Sequence, residues 1–262
     1  MICVNNVWKA YDDVQVLTGL SLEIPAGKTT VILGRSGVGK SVLLRQIACL
    51  ESPDKGGVEV DGVNLATLKG KARDEWFSQM GMLFQSSALF DSMTVEENVA
   101  FSLLHYQKGR ALSKEEIQAA VDEDLKQVGL SVYQKKRPSE LSGGQKRRAA
   151  LARLIIYKPR VLLCDEPTTG LDPVTASQIA SLISQTRKTL NGTAIVVTHD
   201  IVSAIALGDF FALHYEGKIA IAGERDQFFA SKDPLLHEFL RSALVPEAYA
   251  QIVRSATVEG PV

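Results

Sequence analysis

Eight residues, Gly34-Arg35-Ser36-Gly37-Val38-Gly39-Lys40-Ser41, fit the pattern G-x-x-x-x-G-K-[ST] at every fixed position. The chemistry this spacing suits is phosphate binding. Glycines let the backbone curl with its N–H groups pointing inward, and a helix N-terminus behind them adds partial positive charge. Lys40 would reach the β- and γ-phosphates of a nucleotide, and Ser41 would hold Mg²⁺ through its hydroxyl. The alternative is a plain glycine turn before a core helix. The flanks argue against it: Thr30-Val31-Ile32-Leu33 is a short apolar β-rich run, and Val42 to Ala48 reads as a helix.

Other residues gain meaning from that loop. Val161-Leu162-Leu163-Cys164 is a continuous apolar run that ends in Asp165-Glu166, as a strand buried on both faces of a parallel sheet would. Acids at its carboxyl end stand where ligands bind in open α/β sheets. Asp165 would hold Mg²⁺ through water, and Glu166 would act as general base on an attacking water. Without the phosphate loop, a pair of surface acids would be the better reading. Thr193 to Thr198 predicts another buried strand, ending at His199, which could contact a γ-phosphate and couple to Glu166. Gln85 ends the apolar strand Gly81 to Phe84, where an amide can ligate Mg²⁺ and orient water. Tyr11, shortly before the loop, could stack on an adenine ring. Ser142-Gly143-Gly144-Gln145 opens a helix, with Ser142 as its cap, and makes a second anion site far along the chain. One chain need not bring both anion sites to one nucleotide; two chains could.

The elements that must carry these residues alternate strand and helix. Residues 2–8 and 20–24 read as strands, with Asp12-Asp13 as a turn between. Residues 52–57 read as a loop and 58–62 as a short strand and turn. From about 86 to 157 the pattern turns helical. Thr94-Val95-Glu96-Glu97 and Ser113-Lys114-Glu115-Glu116 are capping boxes, and Gly129 stops the second helix near Val128. Lys135-Lys136-Arg137 reads as solvated surface. A helix over about 174–190 follows, and Glu216-Gly217 turns a hairpin between 210–215 and 218–222. Helices are expected at 224–230 and 233–244, a short one at 247–254, and loose chain beyond.

The 262 residues suit one large domain or a domain with a subdomain, and 45% apolar content is enough for a sizeable core. A net charge of −1 gives no electrostatic case for general nucleic-acid binding. Cys3, Cys49 and Cys164 have no metal-ligand spacing, and the last two lie in segments that read as buried, which suits a reducing compartment. The first residues show no basic region followed by an apolar core, and no apolar run reaches a membrane-spanning length, so the expectation is a cytoplasmic chain brought to any membrane by a partner.

Taken in order, these pieces resemble the nucleotide-binding subunit of ATP-binding cassette (ABC) transporters over about residues 1–245. The resemblance implies an α/β P-loop NTPase (RecA-like) core with an antiparallel β-subdomain and an α-helical signature subdomain inserted at about 86–157, followed by a tail at 246–262. It implies ATP and Mg²⁺ as cofactors. In that family's terms Tyr11 is the A-loop aromatic, and residues 34–41, with Val42, form the Walker A loop. Gln85 is the Q-loop glutamine, Leu141 to Gln145 match the signature, and Asp165 and Glu166 end the Walker B strand. Gly170-Leu171-Asp172 is the D-loop, whose Asp172 would face nucleotide, and His199 is the switch histidine. The resemblance also accounts for two anion sites, since two such cassettes dimerise head to tail with each ATP between the Walker A loop of one and the signature of the other.

Ser87 to Ala100 is similar to cassettes of Mce/Mla-type phospholipid transporters, and Gly39 to Leu44 and Arg147 to Arg153 point the same way. That likeness implies a permease dimer and an MCE-domain protein as partners, in some systems with a STAS-domain protein, and a place on the cytoplasmic face of the inner membrane. Val42 stands where many cassettes have threonine, and Arg147 where glutamine is common; Gln145 is kept, although some Mla ATPases change the signature there. An importer cassette for amino acids or another small solute fits the body equally well, and only 87–100 argues against it. An ABC protein acting on nucleic acid would usually carry two cassettes, a coiled coil or a zinc-binding insertion, and a P-loop kinase has no need of signature or D-loop. A structural, non-hydrolysing cassette conflicts with Glu166 and His199.

Overall fold

The structure, a computed structural model, describes residues 1–106 and 112–250. The chain begins with β1 (Ile2–Tyr11) and β2 (Val14–Ile24), then β3 (Thr29–Leu33), α1 (Lys40–Ile47), β4 (Lys55–Val60) and β5 (Val63–Asn64). Next come α2 (Gly70–Ser78), β6 (Met80–Leu83), α3 (Val95–Tyr106), α4 (Lys114–Gln127), α5 (Gly143–Ile155), β7 (Val161–Asp165) and α6 (Pro173–Thr189). The last stretch holds β8 (Thr193–Thr198), α7 (Ile201–Leu207), β9 (Phe210–Tyr215), β10 (Lys218–Glu224), α8 (Arg225–Ala230) and α9 (Pro234–Ala243). Two compact units result: Met1–Leu68 with the chain from Thr193, and Lys69–Gly192.

The first unit holds an antiparallel sheet in the order β2-β1-β4-β5. It also holds β9, β3 and β8 as parallel neighbours, with β10 antiparallel on β9. Every residue of β3 and β8 is buried, which explains the apolar runs Val31 to Leu33 and Ala194 to Val197 within them. Phe211 of β9 packs against Phe228 and Phe229 of α8 with ring centroids 5.5 and 4.9 Å away.

Two sequence expectations change here. Lys55-Gly56-Gly57 is strand, not loop, and pairs with β1. The glycines read as a turn signal, but Gly56 serves close approach: a Cβ there would stand 2.1 Å from the Asn6 carbonyl oxygen. Cys49 is half-buried rather than buried, while Cys164 is buried, and none of the three cysteines is in a disulfide.

The second unit pairs β6 with β7 in parallel, Leu83 opposite Cys164. Between those strands come α3, α4 and α5. Thr94 and Ser113 make the expected capping boxes, and Gly129, at φ 70°, ends the segment after α4. Asn98 is fully buried at the start of α3, where its side chain bonds both the N–H and the carbonyl of Phe90 and the carbonyls of Met93 and Thr94. One amide thus folds the 90–94 segment onto the helix. After α9, residues 246–250 are helical, and the Tyr249 hydroxyl lies 2.8 Å from Nδ1 of His237. The rest of the tail, 251–262, falls outside the described residues.

Candidate functional site

The phosphate loop has the strand–loop–helix context its sequence calls for. β3 ends at Leu33, and α1 opens at Lys40 after Gly39, whose φ of 104° excludes an ordinary side chain. A Cβ on Gly39 would stand 2.7 Å from Val16 Cγ1, and one on Gly34 would stand 2.7 Å from the His214 carbonyl oxygen. Gly37, at φ 81°, faces open space. Lys40 is buried and lies across the loop, donating to the carbonyls of Gly34 at 2.8 Å and Arg35 at 2.9 Å. A buried cation laid over a glycine loop at the head of a helix is what an anion would meet, so the cradle fits a nucleotide's phosphates. Val42 turns its side chain into the core, leaving only its backbone for a ligand.

Leu33 pairs with Thr198 in the β3–β8 register, so Gly34 and His199 leave the sheet at one level. Asp200, beside His199, caps α7 through the N–H groups of Val202 and Ser203. Tyr11 closes β1, and its ring is partly exposed. Its hydroxyl donates to Glu51 at 2.5 Å, and Arg45 reaches the same carboxylate at 3.3 Å. Burial pushes the Glu51 carboxyl up, but the bonds from Tyr11 and Arg45 outweigh it and hold it below the usual carboxylate range. The aromatic is therefore pinned at its hydroxyl, and the Lys9 ammonium lies over its ring 5.6 Å from the centroid.

His214, the fifth residue of β9, was not singled out by sequence. It is 1% exposed, and neither ring nitrogen has a partner among the described residues. Burial, with the Lys40 charge second, pushes its pKa down to about 4. It helps wall a cavity of about 470 Å³ beside the loop, together with Val16, Val38, Leu235 and Phe239.

In the second unit the β6–β7 register sets Gln85 and Glu166 one step beyond Phe84 and Asp165 at neighbouring strand ends. Asp165 and Glu166 are both buried. Glu166 takes a left-handed φ of 46°, uncommon for a residue with a Cβ, and its carboxylate accepts the Thr169 hydroxyl at 2.9 Å. Gln85 is exposed in a turn. Within the second unit, the Asp165 carboxylate and the Gln85 amide oxygen are donors of the hard kind Mg²⁺ prefers, and in the first unit the Ser41 hydroxyl is another. Among the described residues no cluster of three or more His, Cys, Asp or Glu could hold a metal ion.

Ser142 and Gln145 form a reciprocal capping box on α5: Gln145 N–H donates to the Ser142 hydroxyl at 3.3 Å, and Ser142 N–H donates to Gln145 Oε1 at 2.9 Å. Gly144 is buried against α6, where a Cβ would stand 2.5 Å from Thr175 Cγ2. Gly143 meets only Leu171, at 3.5 Å. Asp172 caps α6, accepting from the N–H groups of Val174 and Thr175 at 3.1 and 3.0 Å. The Thr175 hydroxyl, then those backbone bonds, hold its carboxyl below the usual range.

A family profile described as "ABC transporter" matches residues 17–169. The probable ribonucleotide transport ATP-binding protein mkl of Mycobacterium tuberculosis is 36% identical over 237 residues, which span 90% of this chain and 65% of that protein. The methionine import ATP-binding protein MetN of Vibrio vulnificus is 37% identical over 99% of this chain and 77% of its own length. Among solved structures, a dimeric post-hydrolysis state of the ATP-binding cassette MJ0796 bound to ADP and Pi superposes with a TM-score of 0.79 at 32% identity, covering 86% of this chain and 98% of that one.

Proposed function

The chain belongs to the ABC transporter family as an ATP-binding ATPase cassette with that family's α/β fold, and we propose that it drives a membrane permease that moves phospholipid in a cell envelope. The observation that carries the ATPase reading is Lys40 folded across a glycine cradle at the head of α1. In this reading the loop N–H groups and Lys40 hold the phosphates, while Tyr11 stacks on adenine. Glu166, oriented by Thr169, takes the proton of the attacking water. His199 contacts the γ-phosphate. Ser41, Asp165 and Gln85 hold Mg²⁺, and Gln85 also orients the water. Mg²⁺, when bound, neutralises charge on the phosphate oxygens.

Ser142 to Gln145 and Asp172 serve the nucleotide held by a second copy, so ATP binds the closed dimer better than the open one and hydrolysis releases it. The post-hydrolysis cassette above is a dimer with ADP and Pi, which supports this arrangement. Among the described residues no helix is long and apolar enough to cross a membrane. In this reading the permease supplies the membrane contact, on the cytoplasmic face.

The segment at 87–100 supports phospholipid as the cargo, with MCE-domain and STAS-domain proteins as accessory partners. A small-solute importer is the second reading, supported by the methionine import relative that aligns with nearly the whole chain. Purification of the membrane complex through this subunit in mild detergent, with mass spectrometry of proteins and lipids, separates the two. A permease with an MCE-domain protein and enriched phospholipid is expected. A permease with a solute-binding protein and no enriched lipid would leave the ATPase standing and remove the lipid assignment.

A further inference from the structure

Phe84, the residue after β6, offers one carbonyl to two donors. The Ser87 N–H reaches it at 2.9 Å and closes the turn that has Gln85 at its first corner. Nη1 of Arg147 reaches it at 2.5 Å from the middle of α5. Arg147 is 4% exposed, and its Nε has no partner among the described residues. A guanidinium is costly to bury with an unmade bond, so packing alone does not explain it. Burial disfavours its charge and lowers its pKa, and the nearby Asp165 carboxylate offsets only part of that.

A second arginine of α5 continues the pattern. Arg153 donates to the Ser87 carbonyl at 3.2 Å and to the Ala88 carbonyl at 2.6 Å. Ser87 and Ala88 have φ of 65° and 46°, consecutive left-handed residues with side chains, a conformation that persists only when neighbours hold it. The stretch 84–88 is thus tied at both ends to the helix that Ser142 and Gln145 cap.

We propose that Arg147 is a positioning residue for Gln85: through the Phe84 carbonyl it couples the turn bearing Gln85 to the helix headed by Ser142–Gln145. A displacement of α5 then moves Gln85 with it, because a packed helix shifts as a rod and a charge-assisted bond yields last. A glutamine at this position could not make this tie in the same way. Its amide nitrogen ends two bonds nearer the backbone than Nη1. The inference rests on the proposed role of Gln85 at Mg²⁺ and water.

The test is a double-mutant cycle on the full chain with Arg147→Gln and Gln85→Ala, measuring kcat, KM for ATP and half-saturating Mg²⁺. Arg147→Gln is expected to lower kcat about tenfold and raise half-saturating Mg²⁺ severalfold, with KM for ATP within about twofold, as loss of one charge-assisted bond would do. In the Gln85→Ala background the same change should alter kcat less than about twofold, since its target is gone. Without nucleotide, hydrogen exchange at the 84–88 amides should rise at least about tenfold in Arg147→Gln while β6 and β7 stay protected. If Arg147→Gln folds poorly, Arg147→Lys, which keeps the cation without the fork, enters the same cycle. An equal loss in both backgrounds, or unchanged exchange at 84–88, overturns the inference. If Gln85→Ala alone leaves rate and Mg²⁺ requirement unchanged, the role of Gln85 falls and the inference falls with it.

Discussion

In the proposed site the unit formed by Met1–Leu68 and the chain from Thr193 would present backbone to a nucleotide. Its loop is peptide N–H groups between β3 and α1, with two glycines at φ 81° and 104° and one lysine laid over them. The unit Lys69–Gly192 presents side chains, and several of them already hold helix ends: Ser142 and Gln145 cap α5, and Asp172 caps α6. Even strain differs. In the first loop glycine takes the left-handed positions at little cost, whereas in the second unit Glu166 sits at φ 46° with its side chain intact. Binding built from backbone tolerates few sequences. Chemistry built from side chains at strand ends and caps can be altered one group at a time.

If that contrast is right, Lys40→Ala and Glu166→Gln fail differently. Lys40→Ala should weaken ATP binding at least about a hundredfold, because a buried cation is lost from the cradle. Glu166→Gln should lower kcat about 10²- to 10⁴-fold, the range for a lost general base, with nucleotide affinity retained. Equilibrium binding beside single-turnover hydrolysis reads both. Equal loss of affinity in the two variants would break the contrast.

Glycines sharpen it further. Gly144→Ala forces a Cβ against Thr175 and should cost about 1–3 kcal/mol of stability by overpacking. Thr175→Ser removes the offending Cγ2 and keeps the hydroxyl that serves Asp172, so the double variant should regain most of the loss. Gly39→Ala has no such rescue by trimming Val16, since its φ of 104° is itself the obstacle. Thermal melts of the four variants decide whether one glycine is there for packing and the other for backbone.

The same distinction explains what could be read without coordinates. Backbone sites announce themselves, because glycine spacing and an apolar strand before it are properties of consecutive residues. The buried strands β3, β7 and β8 were equally plain from the apolar runs within them. Long-range approach was not: Gly56 looks like a turn until Asn6 is seen beside it, and nothing in the alternation around β9 says that His214 loses all solvent. Arg147 sits in a run with Lys146 and Arg148, and charge does not single it out. Helical period does, since it shares a face with the buried residues Ala150, Leu151 and Leu154.

Acid should pull the units in opposite directions. His214 has its pKa lowered to about 4 in the folded chain, so between pH 6.5 and 4 the unfolded chain binds the extra proton. Its contribution, about 3 kcal/mol at most, is present above pH 6.5 and lost as pH falls through that window. Burial raises the Asp124 carboxyl on α4 to about 6. There the folded chain binds the extra proton between pH 6 and 4, so stability rises on acidification, by about 1–2 kcal/mol after solvent screening. Asp124→Asn should therefore stabilise the protein at pH 7.5 and not at pH 4. Hydrogen exchange followed in each unit against pH reads both slopes, and parallel slopes would contradict the assignments.

The smallest effect asks whether a residue that caps a helix can also serve a nucleotide. Asparagine is as good an N-cap as aspartate, so Asp172→Asn should change stability by less than about 0.5 kcal/mol, while Asp172→Ala should cost about 1 kcal/mol. Stability alone then reports the cap. Turnover reports the rest: if the charge of Asp172 also faces the nucleotide of a second copy, Asp172→Asn slows hydrolysis although α6 is intact. Normal turnover in Asp172→Asn, with loss only in Asp172→Ala, would make this carboxylate a cap and nothing more. The side chains of Ser142 and Gln145 would then face the same question, because their reciprocal bonds commit them to α5 before any ligand arrives.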